Sequence, residues 1–393
     1  MEPELNPYSP GSGVAPRVLA GRDADIAAFD TLIARTKLSL HARPIVLSGL
    51  RGVGKTVLLN RLRGMAEHHG WLTIQFEARP GAHGAKAARQ ALANGLAKNS
   101  LRYKTRAATK QVGQMLATVS SFNAALGVTG FSFGVERDLG RASAGVLEMD
   151  LQDVVEDMAL AIRPDHKALV VFIDEMQDLD HDLLEALVTV QHAAGQRELP
   201  FFVIGAGLPN LPARLADVRS YAERLFEYRT IGRLPAEDAR ESMEGPAKQM
   251  GQSYEPAALE ILLQESGRYP YFIQEFGSAM WTVATASPFS MSNARAAGEL
   301  GRARLDSGFF PSRWDRATPA ERQYLSAMAV DGDGPSTSGD IATRLGKKIQ
   351  SLGPTRSTLI SKGLVYSPEH GKIAFTVPGM ATYINRQQDQ LPG

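Results

Sequence analysis

Residues Gly49, Leu50, Arg51, Gly52, Val53, Gly54, Lys55 and Thr56 fit the pattern G-x-x-x-x-G-K-[ST]. The apolar run 44–48 precedes them and the helix-like stretch TVLLNRLRGMA follows. Glycines let the chain wrap so that successive backbone N–H groups face the oxygens of a phosphate, and the next helix turns its positive end to the same anion. Gly49, Arg51, Gly52, Val53 and Gly54 form that cradle in this reading, Lys55 neutralises β and γ phosphates, and the Thr56 hydroxyl ligates magnesium. The bland alternative is a glycine-rich turn carrying a surface lysine. A strand before and a helix after argue against it. A strand–loop–helix unit of this kind works at the carboxyl edge of a parallel sheet, so the motif calls for an α/β fold.

Other runs supply that sheet. Residues 71–77, 168–174, 200–206 and 227–231 read as further strands, the central ones being the continuous apolar type that a doubly covered parallel sheet requires. Helical stretches fill the gaps. The run Leu169–Asp174 followed by Glu175 ends in two carboxylates. Alone, that is an ordinary strand end; behind a phosphate loop, Asp174 is placed to hold magnesium and Glu175 to polarise a water.

At 393 residues and 44% hydrophobic content the chain has room for two or three domains. Its 43 basic and 42 acidic residues exclude a protein that coats nucleic acid through bulk charge, so nucleic-acid contact calls for a local patch. No cysteine is present, which excludes disulfides, thiolate zinc sites and cysteine nucleophiles and suits a reducing compartment. The eight histidines show no metal-ligand spacing. No apolar run approaches the roughly 18 residues of a membrane helix, and the start MEPELNPYSPGSG has no apolar signal core. The expectation is a cytoplasmic protein without a membrane partner.

Four segments are expected: a flexible tail over 1–16, an α/β domain over 17–232 with a hairpin insertion near 123–135, a helical lid over 233–309, and a last domain over 310–393. Between Glu77 and Glu136 the chain has basic residues and no acid. That block reads either as a solvated helical face or as a nucleotide- or DNA-facing surface.

With both carboxylate and phosphate-loop elements placed, the chain resembles AAA+ P-loop ATPases of the origin-recognition and replication-initiator type, and the related signal-transduction ATPases with numerous domains. The stretch 18–23, with Arg22, resembles the family's Gly-Arg-acid motif near the adenine pocket. The stretch 220–226 is similar to the region of the initiators' arginine finger, with Arg224 the candidate and Arg219 the second choice. The segment 265–272 resembles the Gly-x-Pro lid motif whose proline, here Pro270, touches the nucleotide. The resemblance implies ATP and Mg2+ as cofactors, hydrolysis to ADP and phosphate, and self-association if Arg224 completes a neighbour's site. Two departures imply slow turnover: Asn210 stands late for the first sensor, and only Arg268 offers itself for the second.

The last segment starts with Thr318-Pro319-Ala320-Glu321, a capping box, and continues as three helices and a hairpin. It resembles a winged helix-turn-helix, which implies either double-stranded DNA binding or protein docking and autoinhibition. For DNA, the third helix would enter the major groove. Lys348, Ser351, Thr355, Arg356, Lys362 and Lys372 are the candidate contacts, supported by a basic surplus of five over 340–386.

Overall fold

The computed structural model describes residues 1–104, 110–127 and 141–389. Five parallel strands form the first sheet: β1 (Ile45–Ser48), β2 (Leu72–Glu77), β3 (Leu169–Asp174), β4 (Phe201–Gly207) and β5 (Glu227–Thr230). Their order is β2-β3-β4-β1-β5. Each lies within one residue of its expected bounds. Side chains alternate between two cores, Leu169, Val171 and Ile173 facing one and Val170 and Phe172 the other. That alternation explains why β3 reads as an unbroken apolar run: both of its faces are covered.

Position in the sheet places the chemistry. β1 and β3 flank β4, so the phosphate loop after β1 and the carboxylates after β3 emerge at the same edge, one strand apart.

Two expectations fail. Residues 1–16 are not a loose tail: they run along the lid, where Tyr8 is 4% exposed and donates to the Met243 carbonyl. The Trp281 indole donates to the Glu2 carbonyl at 2.8 Å, and the amino terminus donates to the Ala284 carbonyl at 2.7 Å. A proline-rich opening lacks periodicity, yet fixed φ angles make it a ready strap once anchors exist. The hairpin near 123–135 also fails at its start, because Asn123 is buried in the last turn of the helix Lys110–Ala125. Its remainder from residue 128 lies outside the described residues.

The lid contains helices Ala236–Gln249, Pro256–Glu265, Pro270–Val283 and Met291–Arg304. A π-helical turn, Leu305–Phe309, leads into the short helix Pro311–Trp314. The last segment holds helices Pro319–Ala329, Ser338–Leu345 and Ile349–Ser361. Its antiparallel sheet runs β6-β8-β7, from β6 (Ser336–Thr337), β7 (Val365–Tyr366) and β8 (Lys372–Phe375). The helix Met380–Asp389 closes the chain described. The capping box is present, with Thr318 N–H donating to Glu321 Oε2 at 2.7 Å.

Lid and last segment share one apolar core, which runs from Tyr8 through the lid to Ile384. Phe310 stacks on Tyr383 at 5.0 Å and meets Phe272 edge-on at 6.4 Å. The expected boundary at 309/310 therefore passes through packed rings.

Candidate nucleotide site

A cavity of about 320 Å³ lies between sheet edge, lid and N-terminal strap. Its walls include Arg51 to Thr56 from the loop, Asp174 and Glu175 from β3, and Pro270 and Gln274 from the lid. The loop turns through left-handed conformations at Gly52 (φ 84°) and Gly54 (φ 90°), which side chains other than glycine tolerate poorly. Gly49 is not part of the wall; its carbonyl accepts from Lys55 Nζ at 2.9 Å, as does that of Leu50.

Lys55 is 6% exposed. Burial pushes its ammonium down to about 8, against the pull of Glu175 and Asp174 in the other direction. The lysine thus sits where a second, stronger anion would raise its pKa again. Thr56 Oγ1 donates to Asp174 Oδ2 at 2.6 Å, and Asp174 Oδ1 accepts the Glu175 N–H at 2.9 Å. Hydroxyl and carboxylate side by side are the hard oxygen donors that magnesium takes, alongside substrate phosphates.

Glu175 stands at φ +49°, an uncommon conformation for a residue with a β-carbon. Its carboxylate is held twice, by Arg51 at 3.3 Å and by Gln177 Nε2 at 2.6 Å. Gln177 is buried, and its Oε1 accepts the Leu208 N–H at 3.0 Å. It therefore ties the base candidate to the end of β4, a role that nothing in a lone glutamine announces.

Arg22 lines the cavity, but its Nη2 donates to the carbonyls of Val53 at 2.9 Å and Gly232 at 3.0 Å. It clamps the loop from behind. Val53 is 1% exposed and belongs to the core beneath. Tyr271 N–H donates to the Gly52 carbonyl at 3.1 Å, which joins the helix starting at Pro270 to the loop.

The cavity also receives Arg313, a residue the sequence did not single out. Its guanidinium lies 4.2 Å over Phe309, which also stacks with Tyr271 at 4.8 Å. Burial first, and Arg51 second, lower its pKa to about 10. Among the described residues no carboxylate pairs with it. The reason it escaped notice is that only tertiary packing brings residue 313 to a loop near residue 51.

Other expected residues lie elsewhere. Arg224 is exposed on the short helix Ala222–Leu225 and is not part of the cavity wall. Arg219 pairs with Glu185 at 2.9 Å, so it is engaged within its own chain. Arg268 opens on a separate cleft beside Arg233 and Arg240, and Asn210 precedes the helix Leu211–Val218; neither touches the nucleotide cavity. Arg89, in the basic block, pairs with Asp180 at 2.5 Å.

The DNA candidates divide. Lys348 and Ser351 are exposed at the start of the helix Ile349–Ser361, and Thr355 is half-buried at its middle. Arg356 instead donates to Ser367 at 2.8 Å and to the Lys372 carbonyl at 3.2 Å, holding the hairpin. Lys362 pairs with Glu321 at 2.6 Å, and Lys372 with Glu369 at 2.9 Å. The window 340–386 overstated the surplus, because Asp331, Glu321 and Asp306, all outside it, pair with Arg344, Lys362 and Arg386.

The same segment touches the phosphate loop. Arg51 N–H donates to the Thr376 carbonyl at 2.9 Å, and Leu50 packs with Leu208, Tyr366 and Ala374. Among the described residues no cluster of three metal-binding side chains is present, and no helix is long and apolar enough to cross a membrane.

Comparison with known proteins agrees with this scaffold. Residues 18–204 match the family model described as AAA ATPase domain, and residues 307–384 match a domain of unknown function (DUF8462). Among solved structures, the Walker-type ATPase of Pyrococcus abyssi superposes with a TM-score of 0.57 at 13% identity, over 97% of this chain and 99% of that one. The RuvB Holliday junction branch migration motor of Thermotoga maritima gives 0.44 at 15% identity, over 97% and 100%. The ORC1 protein of Aeropyrum pernix, solved in complex with DNA, gives 0.44 at 16%, over 95% and 94%. A search of curated proteins found no match. Phosphate loop, strand-end carboxylates, five-stranded parallel sheet and the match of residues 18–204 to the AAA ATPase domain model agree with one another.

Proposed function

We propose that the protein binds and slowly hydrolyses ATP, and that the nucleotide state is relayed to the C-terminal segment, a winged helix in this reading, through direct contact with the phosphate loop. One observation carries the catalytic part: Lys55, Thr56, Asp174 and Glu175 converge on a single cavity that the lid covers. Thr56 and Asp174 would hold magnesium, which supplies charge neutralisation at the phosphate oxygens when bound. Lys55 stabilises charge on the transferring group, and Glu175 takes the proton of the attacking water. The hold of Arg51 and Gln177 on Glu175 must loosen before that base is free, which supports slow turnover.

Replacing Glu175→Gln should leave ATP affinity within about twofold and lower turnover on the order of a hundredfold, the scale of a lost general base. Lys55→Ala should abolish binding. Equilibrium titration and phosphate release measure the two separately; retained turnover in the Gln variant removes Glu175 from the reaction.

The relay rests on the Arg51–Thr376 bond and the Leu50 cluster. A second reading, in which the C-terminal segment binds double-stranded DNA, is favoured by Lys347, Lys348 and Ser351, all exposed at one helix start. Filter binding over a salt series separates them. Affinity for DNA falling steeply with salt supports the second; no retention even at low salt leaves the relay alone. Self-association through Arg224 is the remaining proposal, supported by its exposure and its lack of an ion pair among the described residues.

A further inference from the structure

The N-terminal strap does more than cover the lid. Ser9, Ser12, Gly13 and Val14 line the nucleotide cavity, and a β-carbon on Gly13 would stand 3.2 Å from the Thr56 methyl. The strap thus passes directly over the residue that follows the loop lysine. Just before the cavity it is fastened by Tyr8, whose hydroxyl bonds to the Met243 carbonyl and, at 2.7 Å, to the Tyr254 hydroxyl. Asn6 adds a bond to Ser278 Oγ at 3.0 Å.

A second observation points to a ligand. Gln274, one turn into the helix Pro270–Val283, lines the cavity and is 7% exposed. Its Oε1 accepts the strap's Ser9 N–H at 3.1 Å, while its Nε2 is buried and has no partner. A buried amide donor without an acceptor forfeits its hydration with nothing in return, and such groups in native proteins are rare. An acceptor oxygen inside the cavity would remove the cost.

We infer that the strap and Gln274 form a nucleotide-contacting wall: Ser9 orients the Gln274 amide so that Nε2 donates to an oxygen of the bound nucleotide, and the strap must lift for that nucleotide to leave. The inference rests on the ATP reading above and specifies how the site retains its ligand. It assigns a binding role to residues that precede the AAA ATPase match, which begins at residue 18.

The anchor offers a test that leaves the cavity untouched. Gly277 does not line the cavity, and a β-carbon there would stand 2.4 Å from the ring of Tyr8. Gly277→Ala therefore expels Tyr8 while favouring the helix it sits in. Tyr8→Phe removes the two hydroxyl bonds and keeps the ring. Gln274→Leu removes the donor at similar volume.

The probe is N-methylanthraniloyl-ADP, chased with excess ADP in a stopped-flow instrument, with thermal melting of the nucleotide-free proteins alongside. Gly277→Ala and Gln274→Leu should each speed dissociation about tenfold, on the scale of one bond to a charged acceptor, and Tyr8→Phe about threefold. Dissociation within twofold of the parent in all three overturns the inference, including where melting temperature falls, since that pattern means the strap only braces the lid. A parent protein that binds no nucleotide defeats the ATP reading itself, a distinct result.

Discussion

The nucleotide cavity and the C-terminal segment both collect basic side chains, and they treat them in opposite ways. In the cavity, among the described residues, Lys55 donates only to loop carbonyls and Arg313 to a single carbonyl. Both have pKa values drawn down by burial. In the C-terminal segment, Arg344, Lys362, Lys372 and Arg386 already sit against carboxylates. Over residues 310–393 the chain has ten Lys and Arg against seven Asp and Glu, and five of the ten, Arg322 with those four, are ion-paired. Charge counted along a sequence is therefore a poor guide to charge available for a ligand. Availability depends on which partners folding brings near.

The contrast predicts different readouts for the two regions. The largest effect belongs to Arg313→Gln, which should weaken ATP about tenfold by equilibrium titration with little change in melting temperature, because a desolvated cation loses its task and leaves no charged partner behind. An unchanged affinity would place Arg313 with the internally answered cations. Next comes pH. Lys55 binds its proton with a pKa of about 8 in the free protein, and phosphates raise that value on binding. Above pH 8 binding must then take up a proton, so ATP affinity should fall by up to about tenfold per pH unit until the bound-state pKa is reached. Calorimetry at pH 8.5 in buffers of different ionisation enthalpy reads the uptake directly. The smallest effect is Lys362→Ala, expected to lower stability by about 1 kcal/mol through its pair with the Glu321 of the capping box, while DNA retention, if any, stays within twofold. A selective loss of DNA binding there would move Lys362 back to the ligand-facing group.

Much of the fold was legible because its signals are local. Continuous apolar runs mark β1, β3 and β4 as strands buried on both faces, and the bounds of all five strands follow within a residue. Lys55, Thr56, Asp174 and Glu175 were legible for a related reason, since the phosphate loop and a strand end fix them at one sheet edge. What escaped notice was set by distant partners. Tyr8 lies more than two hundred residues from the Met243 carbonyl that holds it, and Arg313 is further still from Arg51. Gln177 looks like any glutamine until β4 supplies Leu208. The alternating glycines over 123–135 point to a hairpin, but its first residue, Asn123, is packed in the last turn of a helix, and residues 128–135 lie outside the described residues. There tertiary burial overrode local propensity.

The rings joining lid and C-terminal segment carry a practical meaning for anyone dividing this chain. Phe272, Phe310 and Tyr383 interlock across residues 309 and 310, with Phe309 and Tyr271 stacked at the cavity on the other side. A cut at that point would leave each fragment displaying half of an aromatic seam to water. Neither half is a module to be borrowed, and whatever tilts one must swing the other with it.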